Sequence, residues 1–175
     1  GEIAQYNGLD PAENLALGSV IIIPGGEIAT PAPSVRPSSG VLREPYLGGS
    51  GSEQLGFYSN PIPGGLITQG LHGWNGIDIG SARGTPIRAA ADGTAIVARS
   101  SGWNGGYGNY IVIVHSNGTQ TLYSHLRNLI ISPGQFIASG QIIGYVGSTG
   151  HSTGPHLHFE VRGAANPFRN CFAGT

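Results

Sequence analysis

The sequence predicts an all-β domain built of antiparallel sheets, and three observations predict it. Glycine and proline are abundant, at 31 and 12 of 175 residues, so turns recur along the chain. Hydrophobic residues make up 39% but cluster in short runs, as short strands require. No segment shows a convincing helical period.

The strands follow from alternation and turn signals. In chain order they are GLITQGL (65–71), TPIRAA (85–90), GTAIVARS (93–100), NYIVIVH (109–115), TQTLYSHL (119–126), QFIA (135–138), QIIGYVG (141–147) and PHLHFEVR (155–162). ADG at 91–93 and SNG at 116–118 read as tight hairpin turns. Together the strands give an antiparallel sheet doubled into a sandwich or an open barrel.

The chain divides into three parts. Residues 1–27 contain EIAQYN, which suits a helix end, and DPAEN, a turn or helix start with Pro11 after Asp10. SVIIIP follows as a short β-branched strand ended by Pro24. This part resembles the second half of a LysM module, a small glycan-binding unit, with the first strand and first helix absent. Half a module does not bury its own core, so a remnant that docks or frays is the competing reading. Residues 28–56 are a linker by composition, stiff at PAPSVRP and flexible at GGSGS. The β domain runs from Phe57 to the end.

Charge and cysteine usage narrow the function classes. The net charge is -1, and all eight basic residues are arginine. No case for nucleic acid follows from that balance. From Asn60 onward six arginines face three acids, Asp78, Asp92 and Glu160, a mild basic excess that suits an anionic polymer. The single cysteine, Cys171, permits no internal disulfide and no cysteine-rich zinc site. It reads as a small side chain near the terminus, with dimerisation through it the alternative; a monomer is expected. No apolar run approaches the ~20 residues of a membrane span. No signal peptide is visible, and a start at Gly1 without methionine reads as a processed or trimmed product.

The chemistry lies in the histidines. In a strand, alternate residues share a face. His156, His158 and Glu160 therefore point one way, and Leu157, Phe159 and Val161 point into the core. Two neutral imidazoles side by side serve no structural need, whereas zinc uses them as ligands. In TLYSHL, the same alternation puts Tyr123 and His125 on one face and Leu122 and Leu126 on the other. Upstream, QGLHGWNGIDIG presents His72 and Asp78, the Asp between Ile77 and Ile79. A carboxylate so placed calls for a nearby cation. Two His and one Asp make a normal zinc set, which leaves two further His for acid–base work.

On these residues the third part resembles the lysostaphin/LytM-type zinc endopeptidases of bacterial cell walls. The resemblance rests on NGIDIGSARGTPIRAAADGTAIVA (75–98), GYGNYIVIVHSNGTQTLYSHL (106–126) and GYVGSTGHSTGPHLHFEVR (144–162). It implies a duplicated-hybrid-type β fold with an open groove, and one zinc ion held by His72, Asp78 and His158. It implies His125 and His156 as the catalytic pair and peptidoglycan cross-bridges or stem peptides as substrate. A secreted or cell-envelope location follows from that substrate. One position departs from the family pattern. The first ligand usually lies four residues before the Asp, where this chain has Trp74. An HGWNG loop with glycines at 73 and 76 can bring His72 back into place. The alternatives are a rim histidine beside a two-ligand site, or Asn75 as an oxygen ligand. Ligation by neutral imidazoles and His base chemistry both fail in acid, so activity is expected to fall below about pH 6.

Other signals weigh less. GHSTG (150–154) fits G-x-S-x-G, but a proline and a strand follow it instead of the required helix; it reads as a loop shaping one groove wall. Trp103 and Tyr107 suit substrate contact in a groove, or packing beneath their glycine-rich loop. His115 reads as structural and His151 as a rim residue, with Glu160 either supporting His158 or making an ordinary ion pair. Three function classes result: an active zinc endopeptidase, a degenerate relative that binds the wall or activates a separate amidase, and a glycan-binding protein acting through the LysM part.

Overall fold

The computed structural model describes residues 51–169. The partial LysM reading, the linker up to residue 50 and Cys171 lie outside the described residues. The rest is strand and turn: β1 (Leu66–His72), β2 (Gly76–Gly80), β3 (Pro86–Arg88), β4 (Gly93–Arg99), β5 (Tyr110–Val114), β6 (Gln120–Ser124), β7 (Leu126–Leu129), β8 (Phe136–Ile137), β9 (Ile142–Val146) and β10 (His156–Arg162). One 3₁₀ turn, Asn104–Gly106, is the helical exception.

Seven strands form one sheet in the order β1-β2-β10-β6-β5-β4-β8, and three form a second in the order β3-β9-β7. The pairings within both are antiparallel, so the all-β antiparallel reading holds. The core takes Ile77 and Ile79 from β2, Leu157, Phe159 and Val161 from β10, and Ile111 and Ile113 from β5. The small sheet adds Ile87, Leu126, Ile143 and Val146 to the same cluster. Fully burying each such side chain stabilises the fold by ~1.5–3 kcal/mol. That apolar face fixes the register of β10, because a one-residue slip would turn His158 inward and Phe159 out.

Three local readings need correction. GIDIG is a strand of its own, β2, inserted between β1 and β10. ADG is no hairpin turn, because β3 and β4 belong to different sheets; SNG does join the paired strands β5 and β6. The run 119–126 is not one strand. It breaks at His125, whose φ of +62° is left-handed, and Leu126 onward joins the second sheet. Tyr123 consequently faces the core, not the groove, and its buried hydroxyl accepts from the Ala90 amide at 2.8 Å.

His115 is structural. Its Nδ1–H donates to the Asp92 carbonyl at 2.7 Å, and its Nε2 lies 2.8 Å from the Thr121 hydroxyl. Burial lowers its pKa, against the pull of Asp92. A histidine with a folded pKa below its unfolded value contributes stability above about pH 6.5, and loses it as pH falls through the folded pKa. We therefore expect the His115 ring to titrate below the ordinary histidine value in an NMR titration, and His115→Gln to flatten the acid limb of the stability curve. Titration of His115 near its ordinary value would contradict this.

Candidate active site

Strand register brings the first members together. β10 pairs with β2 so that His158 lies directly opposite Asp78. Their side chains leave the same face, with His158 Nδ1 2.9 Å from Asp78 Oδ1. His72 ends β1, and its Nε2 lies 3.2 Å from the same Asp78 oxygen. The HGWNG loop achieves this with two left-handed residues, Gly73 at φ +53° and Asn75 at φ +59°. Asn is among the few residues with a side chain that tolerate that region. Its amide donates to the carbonyls of Val161 and Ala164, at 2.5 and 2.8 Å, which ties the loop to β10. Both bonds are made by the amide nitrogen, Nδ2. Gly76 is required for space, not for φ: a Cβ there would fall 2.5 Å from His158 Cε1.

The donor set fits one metal ion. His72, Asp78 and His158 each offer one ligand atom, all within 4.8 Å of one another. Tetrahedral zinc, with bonds of ~2.0–2.1 Å, sets its donors roughly 3.3 Å apart. The two His–Asp separations match that. His72 Nδ1–H donates to the Gly70 carbonyl at 2.7 Å, so Nε2 carries the free lone pair. His158 Nε2 lies 3.1 Å from Glu160 Oε1, so Nδ1 is the atom left toward Asp78.

Charge follows the same geometry. Burial opposes ionisation of Asp78, but the His158 hydrogen bond and the three surrounding imidazoles hold its pKa below the usual carboxylate value. Burial likewise opposes a charged His158, yet the hydrogen bonds to Asp78 and Glu160 prevail and raise it to about 9. A metal ion taken up near neutral pH must therefore displace a proton from this ring.

Two more histidines complete the floor. His125 reaches the groove because its left-handed backbone ends β6 one residue after Ser124, the residue opposite His158. Such a conformation costs on the order of 1–3 kcal/mol outside glycine and clusters at functional sites. His125 Nδ1–H donates to the Thr149 carbonyl at 2.8 Å, and His156 Nδ1–H to the Gly154 carbonyl at 2.8 Å. In the neutral form of each ring, Nε2 is thus the nitrogen with the lone pair. The two rings lie 4.7 Å apart between centroids, and His156 Nε2 is 3.8 Å from Asp78 Oδ2. Burial lowers the His125 pKa to about 4, helped by the neighbouring His156 and His158, so this ring is neutral at pH 7.

Around them lies a groove of about 510 Å³, whose walls include Trp74, Tyr107, His151 and Ser152. Trp103 is 62% exposed and lies against His151, with ring centroids 6.1 Å apart, beyond the groove lining. The Tyr107 hydroxyl is given to Glu160 Oε1 at 2.7 Å. Sequence reasoning gave Glu160 as a support for His158 or an ordinary ion pair, and missed its partners Tyr107 and Arg162. A signal was present, since Glu160 and Arg162 continue the polar face of β10.

The model of peptidase family M23 matches residues 72–170. The DD-carboxypeptidase/endopeptidase Mpg of Neisseria meningitidis is 48% identical over 111 residues, covering 63% of this chain and 24% of that protein. The murein hydrolase activator EnvC of Escherichia coli is 39% identical over 94 residues, covering 54% and 22%. The chain thus spans about a quarter of the length of these relatives. Among solved structures, the antimicrobial peptidase lysostaphin of Staphylococcus simulans superposes with a TM-score of 0.53 at 32% identity, covering 60% of this chain and 45% of that one.

Proposed function

As the chain belongs to peptidase family M23, we propose that it is a zinc-dependent endopeptidase that hydrolyses peptide bonds of bacterial peptidoglycan, in a cross-bridge or a stem peptide. The observation that carries the reading is five side chains converging on one groove: three donors clustered within 4.8 Å, and two imidazoles beside them with free Nε2 atoms. His72, Asp78 and His158 would hold one zinc ion. When bound, zinc polarises a carbonyl and acidifies water. His125 and His156 do the proton work. Their Nε2 lone pairs face the groove, so one accepts the proton of the attacking water as its oxygen bonds to the scissile carbon. That proton passes to the leaving amine nitrogen as the C–N bond breaks, giving a carboxylate and an amine. The open groove and the modest basic excess suit an anionic, extended polymer. Peptidoglycan lies outside the cytoplasm, so this reading carries with it a location in the envelope or beyond it.

The similarity to EnvC favours one second reading, a wall-bound activator without hydrolysis. Both are resolved by incubating the protein with purified peptidoglycan and identifying released fragments by mass spectrometry. We expect new amine and carboxylate ends at one type of peptide bond, lost with a zinc chelator and restored by zinc. Binding to the wall with every peptide bond intact, at any zinc level, would overturn the endopeptidase in favour of the activator.

A further inference from the structure

The chain carries a buried polar cluster that the proton chemistry does not use. Glu160 is fully buried and Arg162 is 1% exposed. Glu160 Oε2 accepts from Arg162 Nε and Nη2, both at 2.6 Å. Glu160 Oε1 accepts from the Tyr107 hydroxyl at 2.7 Å and faces His158 Nε2 at 3.1 Å. Arg162 Nη2 also donates to the Tyr107 oxygen at 3.2 Å. A carboxylate this deep is costly, and an apolar pair would stabilise as well or better. Its placement is explained by what its one free direction touches, the far nitrogen of His158.

We infer that Glu160, locked by Arg162 and Tyr107, is the positioning carboxylate of the metal centre: it holds the His158 Nε2 proton, so that Nδ1 is the atom offered to the metal. This rests on the reading of His72, Asp78 and His158 as a zinc site. Histidine ligands with such a partner are fixed in tautomer and made more basic, and losing the partner typically costs ~10–100-fold in metal affinity. Arg162 serves by holding the carboxylate rigid and ionised. Tyr107 therefore acts through Glu160, and its hydroxyl is not available to a substrate.

The test is zinc affinity, measured by competition with a chromophoric chelator on the full chain. Glu160→Gln is expected to weaken zinc binding ~10–100-fold. Glu53→Gln removes an exposed acid that pairs with Arg169, outside the groove lining, and is expected to leave affinity unchanged, which separates lost charge from the lost partner. Because Glu160→Gln leaves Arg162 buried without its counter-charge, the double variant Glu160→Leu/Arg162→Met, which is apolar throughout, provides the same reading in a fold free of that burden. In zinc-loaded, nitrogen-15-labelled protein, the His158 Nε2 proton is expected to exchange slowly in the wild type and fast in the double variant. Wild-type zinc affinity and slow exchange in the folded double variant would overturn the role of Glu160 alone. A wild type that takes up no zinc would overturn the metal site beneath it.

Discussion

His158→Ala is expected to strip the protein of zinc and to lower peptide hydrolysis by about 10³-fold or more. Several kilocalories per mole of charge stabilisation come from a bound metal, and each ~1.36 kcal/mol is tenfold in rate. The loss is larger than for a peripheral residue because His158 is tied to two carboxylates at once, Asp78 and Glu160. Removing it leaves both without the ring that binds them. The change is not a core lesion, since His158 lies on the groove face of β10 while Phe159 and Leu157 keep the core. Far-ultraviolet circular dichroism should therefore remain that of a β protein. Zinc retained at the wild-type level, with activity within a few-fold, would mean that His158 is not a ligand.

The second large effect separates proton transfer from metal binding. His156→Ala and His125→Asn are expected to keep about one zinc per chain while losing ~10²–10⁴-fold in turnover, the usual share of a positioned acid or base. Asparagine is chosen at 125 because that residue holds a left-handed backbone, φ +62°, which asparagine tolerates and alanine does not. Turnover should fall with little change in KM, since neither ring is assigned a role in holding substrate. Loss of zinc in either variant would make that histidine a ligand and contradict the division of labour proposed here.

Much of this site was legible in the residues. The alternation of β10 placed His156 and His158 together, because Leu157, Phe159 and Val161, which alternate with them, had to face inward. The same rule failed at TLYSHL. Alternation assumes an unbroken strand, and the left-handed His125 breaks it, so Tyr123 turned out to be core while His125 turned into the groove. No local pattern announces such a break at a histidine. The HGWNG loop was readable in part. Its glycines signalled an unusual path for His72, yet the second left-handed residue is Asn75, and Gly76 is needed for room beside His158. Pairing partners were out of reach: only the fold shows that β2 lies between β1 and β10, which is what sets Asp78 opposite His158. The Glu160–Arg162–Tyr107 cluster depends on a contact between residues 53 apart in the chain, which spacing does not reveal.

The central claim is that three side chains from β1, β2 and β10 form one metal site, with His72 as its first ligand although it lies two residues before the usual position. Zinc per chain, determined by elemental analysis of protein purified without chelator, tests it most directly when His72→Ala is measured beside the wild type. The account predicts close to one zinc in the wild type and almost none in the variant. Equal zinc in both would contradict it and remove His72 from the site, and no zinc in either would contradict the metal site altogether.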